Sequence, residues 1–562
     1  MRREVSVVNK KVCSFPILFA LLALLIGTCA VVFPASAQAA PTSTGSITVG
    51  GTVASSYDAY QIFSANVVDG DSDAKIATDL AWASDAVRDA ALPVLHSAGM
   101  PNSQTTAQEA AEWLNTDSHL TSALSAQLAR SLQSSGAESV ALNAGTAAEL
   151  SCGYWLIVAK DDAIAQGEAG TAPIMTLVGG SAVTVKPKAA TPKVAKHVLE
   201  DSTAAWQKAA DATVADDLYW RLSATVPAGL AAYDTYTVRF VDTMSAGLDP
   251  SKVAASMRVY VAAGADGGFD AAQTDKDGHA GTEPAKGWTD ITAQCATKVA
   301  ADGTFTVRTG DLIAALGGAD AFTAGARVVA VYNAPLNSAC NHGIAKGNPN
   351  EVYLRYPRSP FADQSGDAGF TRTPSDDACV YTWDLALTKR GSDGDKPLAG
   401  AVLSIVDDRG RTLAADGTWD AEGKATVTTG EDGRVTVSGM DSGKLEVREL
   451  KAPKGYTAFE GTRSVTVKAE GLDVDQVAAA KPKLTITAES PLRADSADGS
   501  TGSLEASLIN TPTGTPPSIT TGGFMPSTGD MAMYAAAAAA VAGAALIVVA
   551  LLVKRGGGSH KE

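Results

Sequence analysis

Short segments in which apolar and polar residues alternate, separated by turns, fill most of the chain from residue 193 to residue 511. Alternation with a period of two is typical of half-buried strands, and many short strands at regular spacing favour a β-sandwich. Residues 193–375 contain six such segments, at 218–226, 236–241, 257–262, 304–308, 328–332 and 351–356. Residues 382–511 repeat the pattern more compactly, with Asp-Gly and Ser-Gly turns. The sequence therefore predicts two β-sandwiches in tandem.

The region before them has a different pattern. Residues 46–53 alternate as a strand does, whereas two stretches rich in Ala, Leu and Gln, at about 73–96 and 105–134, have helical composition. Strand patterns return at 154–159 and 182–185. We therefore predict a mainly β chain with an α+β domain at 45–187, sandwiches at 188–375 and 380–512, and a Pro/Thr/Gly linker at 513–524.

The N-terminus has the pattern of an export signal. Basic residues come first, then an apolar run at 15–33, then small residues up to Ala39. This order predicts a secretory signal peptide at 1–39 that is cleaved after Ala39. The alternative is a retained N-terminal anchor helix.

The C-terminus contains an uncharged stretch at 531–553 that is long enough to cross a bilayer as a helix. Lys554 and Arg555 follow it, which predicts a cytoplasmic tail at 554–562 and an extracellular main body. The residues just before the span are Met525, Pro526, Ser527, Thr528 and Gly529.

This order of pentapeptide, span and basic tail resembles the cell-wall sorting signal of Gram-positive surface proteins, Leu-Pro-x-Thr-Gly, with Met in the first position. The resemblance implies that a sortase cleaves between Thr528 and Gly529 and joins the Thr528 carbonyl to an amine. Pilus-class and housekeeping sortases and peptidoglycan are the implied partners. The alternative is an ordinary single-span protein.

Some polar residues share a face with the apolar residues of their strands, so they are predicted to point into the sandwich cores. In the second sandwich these are Lys389, Glu449 and Asn510, and in the first they are Lys196, Asp242 and Asn350. Buried charges are costly, so they need an explanation.

A buried ion pair, or strand ends that reach solvent, would be one explanation for these polar residues. An intramolecular Lys–Asn isopeptide bond is the other. In an apolar core, burial lowers the pKa of the amine and raises that of the acid. A neutral amine can then attack the Asn carbonyl while a protonated carboxyl polarises it.

Residues 448–456, Arg-Glu-Leu-Lys-Ala-Pro-Lys-Gly-Tyr, resemble the Glu-box signature of the SpaA-like, collagen-adhesin B-type domains of Gram-positive pilins. Residues 387–389 and 509–512 match the first and last strands of that family. The resemblance implies that Lys389 and Asn510 are bond partners and that Glu449 is the promoting acid.

The first sandwich resembles the isopeptide-forming fimbrial domain, of collagen-adhesin A type, at residues 192–196, 240–248 and 347–354. The resemblance implies that Lys196 and Asn350 are partners and that Asp242 is the acid. Residues 356–360 read Tyr-Pro-Arg-Ser-Pro where the family continues Tyr-Ser-Asn-Asn-Pro. If the acceptor were an asparagine there, this bond would be missing.

Pilins of this family use a lysine in a Tyr-Pro-Lys motif to accept the next subunit. Here Lys186, Pro187 and Lys188 stand at that place, with Lys in place of Tyr. The resemblance implies that Lys188 is joined to Thr528 of an identical subunit, head to tail. The alternative is that Lys188 is a solvated linker lysine.

Two classes of surface protein fit these features. One is the backbone subunit of a pilus that supports adhesion. The other is a monomeric wall-anchored adhesin or ancillary pilin that binds a host protein or glycan and does not need Lys188. The net charge of −16 argues against nucleic acid as a partner. No catalytic signature or cofactor fingerprint is present, and the acidic segment 266–283 lacks the Glu of a calcium loop, so we expect neither an enzyme nor a metal site.

Four cysteines remain once the predicted signal peptide is removed: Cys152, Cys295, Cys340 and Cys379. Outside the cell they could form two disulfides in three ways. The most local pair within one predicted domain is Cys295 with Cys340.

Overall fold

The computed structural model describes residues 44–71, 74–116, 119–187, 191–226, 229–264, 287–318 and 325–514. The predicted signal peptide, Lys188, the acidic segment, the sorting motif and the C-terminal span lie outside these residues. Along the described part of the chain, no helix is long and apolar enough to cross a membrane.

The N-terminal unit packs three helices against one of its two sheets. Its elements are β1 (Thr44–Val49), β2 (Ser56–Asp69), β3 (Lys75–Trp82), α1 (Asp85–Ser97), α2 (Ala107–Asn115), α3 (Ser122–Ser135), β4 (Val140–Asn143), β5 (Ala147–Ser151), β6 (Gly153–Ala159), β7 (Ile174–Val178) and β8 (Val183–Val185). One sheet has the order β3-β2-β6-β7, with β4 also paired to β2, and the other has the order β5-β1-β8. The predicted α+β region is confirmed.

The predicted helices were too long in two places. Residues 75–82 form a strand that pairs with β2, because this alternating segment gains a backbone partner that composition alone does not reveal. The stretch 105–134 is two helices, each with its own N-cap. Thr106 and Glu109 form a capping box at α2, and Thr121 caps α3.

The middle unit is a β-sandwich. Its elements are β9 (Lys193–Glu200), β10 (Ala205–Gln207), β11 (Ala209–Asp211), β12 (Tyr219–Val226), β13 (Arg239–Met244), α4 (Val253–Ser256), β14 (Arg258–Ala263), β15 (Thr289–Asp290), β16 (Ala296–Val299), β17 (Thr304–Arg308), α5 (Leu312–Ala315), β18 (Ala326–Asn333), β19 (Asn348–Pro357), β20 (Phe370–Arg372) and β21 (Asp376–Tyr381). One sheet has the order β10-β9-β12-β18-β14-β15. The facing sheet has the order β11-β21-β19-β13-β17-β16, with β20 also paired to β19.

The C-terminal unit is a second sandwich. Its strands are β22 (Trp383–Gly391), β23 (Val402–Val406), β24 (Thr412–Leu413), β25 (Trp419–Asp420), β26 (Val427–Thr428), β27 (Arg434–Met440), β28 (Gly443–Lys451), β29 (Tyr456–Thr457), β30 (Thr462–Glu470), β31 (Lys483–Ala488), β32 (Leu492–Asp498) and β33 (Ser503–Pro512). One sheet has the order β27-β22-β33-β29 and the other β25-β24-β23-β28-β30-β31. The first strand, β22, and the last, β33, are parallel neighbours.

The predicted mainly β fold, with tandem sandwiches after an α+β region, is confirmed. The middle and C-terminal units each have a core of buried apolar side chains, centred on residues such as Trp220 and Trp383. The exact domain boundaries given above stay predictions.

Buried carboxyl groups lie at the junction of the two sandwiches. Asp211 Oδ2 accepts hydrogen bonds from Trp383 Nε1 at 2.6 Å and from the Ser442 backbone at 3.0 Å. Glu200 accepts one from the Asp211 backbone at 3.1 Å. Burial raises the pKa of Glu200 to about 7, and it also raises the pKa of Asp211.

These shifts predict a pH dependence of stability. Between pH ~4.5 and ~7 the folded chain holds a proton on Glu200 that the unfolded chain releases, so stability falls as the pH rises through this window. We expect the melting temperature at pH 8 to be lower than at pH 5, by an amount equivalent to a few kcal/mol. Calorimetry of the wild type and of Glu200→Gln should show this loss in the first and a weaker one in the second. Equal pH profiles for the two proteins would contradict the assignment.

Candidate functional site

The first candidate site, the middle cluster, consists of Lys196, Asp242, Tyr332 and Asn350. Lys196 and Tyr332 come from β9 and β18 in one sheet, and Asp242 and Asn350 come from β13 and β19 in the other. All four side chains are fully buried. The sandwich therefore brings together the three residues predicted from the sequence, across its two sheets.

The contacts within the middle cluster converge on the tyrosine hydroxyl. Lys196 Nζ contacts Asp242 Oδ2 and donates a hydrogen bond to Tyr332 Oη at 2.9 Å. Asn350 Nδ2 also donates to Tyr332 Oη, at 2.9 Å. Tyr332 in turn donates to Asp242 Oδ2 at 3.2 Å.

Burial changes the acid–base balance of the middle cluster. It lowers the pKa of Lys196 to about 8, although the attraction of Asp242 opposes this, and it raises the pKa of Asp242. At pH 7, roughly a tenth of such lysines carry no proton, compared with well under a thousandth at the ordinary pKa. Burial therefore shifts both groups toward their neutral forms.

Tyr332 was not predicted as part of the site. It shares the inward face of β18 with Val328 and Ala330, and all three are buried. A tyrosine at the end of an inward apolar face needs a partner for its hydroxyl, and that need was the signal available in the sequence.

The second candidate site, the C-terminal cluster, consists of Lys389, Glu449 and Asn510. Lys389 lies on β22 and pairs in register with Leu508 of β33, two residues before Asn510. Glu449 reaches them from β28 in the facing sheet. Lys389 is 0% exposed, Glu449 6% and Asn510 3%.

In the C-terminal cluster the acid contacts the amide directly. Asn510 Nδ2 donates to Glu449 Oε1 at 2.8 Å and to Oε2 at 3.0 Å. Lys389 Nζ lies 3.7 Å from Glu449 Oε1 and donates to the Leu508 carbonyl at 3.2 Å. Burial lowers the pKa of Lys389 to about 8. The structure thus places all three predicted residues in one buried group.

Both clusters leave an amide oxygen unsatisfied. Among the described residues, Asn350 Oδ1 and Asn510 Oδ1 are buried without a hydrogen-bond partner. A half-turn of the Asn510 side-chain amide would exchange its nitrogen and oxygen and bring the carbonyl oxygen within reach of Glu449. The Glu449 carboxyl group would then lie beside that carbonyl oxygen.

The segment where the sequence departs from the fimbrial family contacts the N-terminal unit. Tyr356 Oη donates to the Gly167 carbonyl at 2.7 Å, and the Gly170 backbone donates to the Arg358 carbonyl at 2.7 Å. Ser359 Oγ contacts Asp161. The departure therefore lies at a junction between units, whereas Asn350 bonds to the Tyr332 hydroxyl that Lys196 and Asp242 also contact.

The possible disulfide between Cys295 and Cys340 is not formed in the structure, where both are free thiols. Cys295 lies just before edge strand β16, and its Sγ donates a hydrogen bond to the Ile291 carbonyl at 3.3 Å. Cys340 lies in the β18–β19 loop, where its Sγ is 3.6 Å from His342 Nε2. The two cysteines are separated along the chain by β16, β17, α5 and β18.

The remaining predicted site residues, Lys188 and those at 525–529, lie outside the described residues. Lys188 follows β8, which ends at Val185. Within the described ranges, no group of three His, Cys, Asp or Glu side chains is placed to hold a metal ion.

One segment of the chain matches a known family of protein domains. Residues 384–481 match the SpaA family of prealbumin-like fold domains. The trypsin-resistant surface T6 protein of Streptococcus pyogenes serotype M6 is 30% identical over 143 residues, which is 24% of each chain. The match thus spans about a quarter of the length of this curated relative.

Solved structures of pilins resemble the chain as well. The T6 backbone pilin of Streptococcus pyogenes has 17% identity and a TM-score of 0.44, and the major pilin SpaD of Corynebacterium diphtheriae has 15% and 0.40. Each match covers 84% of this chain and 98% of the other. The chain therefore contains a SpaA-type domain at residues 384–481, and about a quarter of it is similar in sequence to the surface T6 protein.

Proposed function

We propose that the chain is the backbone subunit of a covalently polymerised pilus on the surface of a Gram-positive cell, and that each subunit carries two internal Lys–Asn isopeptide bonds. The observation that carries the proposal is that each of two successive sandwiches buries a lysine, an acid and an asparagine in one group. A structural role as a building block, without turnover of a substrate, accounts for such sites.

The proposed bond forms by attack of the neutral lysine nitrogen on the side-chain carbonyl carbon of asparagine. A new C–N bond forms, the old C–N bond breaks, and the amide nitrogen leaves as ammonia with a proton from the amine. The protonated acid donates a hydrogen bond to the carbonyl oxygen, where negative charge develops. Asp242 has this role for Lys196 and Asn350, and Glu449 has it for Lys389 and Asn510.

Polymerisation uses the ends of the subunit. In this proposal a sortase cleaves after Thr528 and joins it to Lys188 of the next subunit, and a second, housekeeping sortase attaches the last subunit to peptidoglycan. Such head-to-tail contacts do not close on themselves, so they generate a filament. The filament would support adhesion to a host ligand.

The internal bonds are tested by the intact mass of the mature chain. Each bond releases one ammonia, so the wild type should be lighter than its sequence by about 17 Da per bond, or about 34 Da for two. Glu449→Ala should be lighter than the mass calculated from its own sequence by only about 17 Da, because Lys389 loses its promoting acid and one of the two bonds does not form. Glu446→Ala, an exposed acid on the same strand, is the matched control and should keep the full deficit. A wild-type mass equal to the sequence mass would refute both bonds.

A further inference from the structure

We propose that Tyr332 is a catalytic residue of the middle cluster, and that its hydroxyl relays a proton from the attacking lysine to the departing amide nitrogen. This inference rests on the proposed Lys196–Asn350 bond. It concerns a residue outside the set of lysine, acid and asparagine that the sequence predicted.

The Tyr332 hydroxyl touches both nitrogens that exchange places in the reaction. It accepts a hydrogen bond from Lys196 Nζ and one from Asn350 Nδ2, each at 2.9 Å, and donates one to Asp242 at 3.2 Å. Its two acceptor positions and its one donor are all used. Because both nitrogens bond to the same oxygen, they lie no more than about 6 Å apart.

The two clusters differ in which group bonds to the asparagine amide. In the C-terminal cluster, Glu449 is long enough to bond the asparagine amide itself, at 2.8 Å. In the middle cluster the acid is an aspartate, one methylene shorter, and it contacts the lysine, while the amide of Asn350 bonds to Tyr332. The tyrosine hydroxyl thus occupies the space between the shorter acid and the amide.

The relay moves one proton from the lysine nitrogen to the amide nitrogen while one C–N bond replaces another. Neutral Lys196 Nζ attacks Asn350 Cγ, and a C–N bond forms. In the tetrahedral intermediate Asn350 Nδ2 is no longer conjugated, so it gains a lone pair and can accept a hydrogen bond. Nζ passes a proton to the Tyr332 oxygen while the phenolic proton, until then directed at Asp242, passes to Nδ2. Nδ2 leaves as ammonia with the electrons of its bond to carbon, and the phenol is regenerated.

The surroundings of Tyr332 suit a relay that keeps its proton until the amine attacks. Burial raises the pKa of Tyr332 well above its ordinary value, and the neighbouring Asp242 adds to the effect. Its ring is held by an edge-to-face contact with Phe305, with the ring centroids 4.8 Å apart. The hydroxyl is therefore protonated and fixed in position when the amine attacks.

The test compares bond formation in the wild type, Tyr332→Phe and Tyr356→Phe by peptide mapping and intact mass at fixed times after synthesis. Tyr332→Phe keeps the ring and removes only the hydroxyl, so the Lys196–Asn350 bond should form about 100-fold more slowly. Tyr356→Phe removes another buried hydroxyl, one that bonds to Gly167, and should form the bond at the wild-type rate. The Lys389–Asn510 bond in the same chains is an internal reference.

The outcomes separate the relay from the proposed function. If the wild type lacks the Lys196–Asn350 bond, the proposed function of the middle cluster fails. If the wild type has it and Tyr332→Phe forms it equally fast, only the relay is overturned. If Tyr332→Phe does not fold, a second variant still tests the relay. In that variant 3,5-difluorotyrosine replaces Tyr332, which keeps the hydroxyl and changes its acidity. An altered rate of bond formation in that protein supports the relay, and an unaltered rate overturns it.

Discussion

Replacing Lys188 with alanine is expected to convert a ladder of covalent polymers into a single monomer band. Every subunit in the proposed filament offers one amine to the Thr528 carbonyl of its neighbour, so removal of that amine stops growth at the first step. Lys188 follows Pro187, whose fixed backbone angle favours an extended presentation to a sortase cleft. The measurement is an immunoblot of cell-wall digests after boiling in detergent.

Lys186→Ala is the matched control for this experiment. It removes a lysine two residues away and leaves Pro187 and Lys188 in place, so the ladder should persist. An unchanged ladder in Lys188→Ala would contradict the assignment of Lys188 as the linking lysine. A wild-type chain that runs as a monomer would instead favour the wall-anchored adhesin.

Lys389→Met should lower the melting temperature of the C-terminal unit by roughly 15 °C. The proposed tie between Lys389 and Asn510 closes a loop of roughly 120 residues, and by analogy with a disulfide it stabilises the fold by about 5 kcal/mol. Methionine fills a similar apolar space, so the loss does not report a cavity. Calorimetry should resolve this transition from that of the middle unit.

Lys396→Met is the control for this variant. Its side chain is 60% exposed and lies beyond the same strand, so the melting temperature should stay at the wild-type value. An unchanged melting temperature in Lys389→Met would mean that no tie exists in the wild type or that it does not stabilise the fold.

The inward-facing charged residues could be found from the sequence because they follow a strict period. Lys389 shares a face with Trp383, Leu385 and Leu387, and all four are buried as that period predicts. The same reasoning found Lys196 and Asp242. The sequence was sufficient here, because the face of the strand on which a side chain lies depends only on its position along that strand.

Features that depend on the pairing of distant segments could not be predicted in this way. The partners of the Tyr332 hydroxyl come from β9, β13 and β19, and nothing within β18 specifies which strands face it. The junction acid Asp211 bonds to Trp383, 172 residues away. Whether Cys295 and Cys340 meet likewise depends on how the intervening elements fold.

The parallel pairing of β22 and β33 determines how the C-terminal sandwich would carry mechanical load. The chain enters this sandwich at the start of β22 and leaves it at the end of β33, and Lys389 and Asn510 lie close to the ends of these two strands. With the two residues bonded, a pull on the filament passes from residues 383–389 directly to residues 510–512. Residues 390–509 then bear no tension, so their loops can vary in sequence and length without weakening the filament.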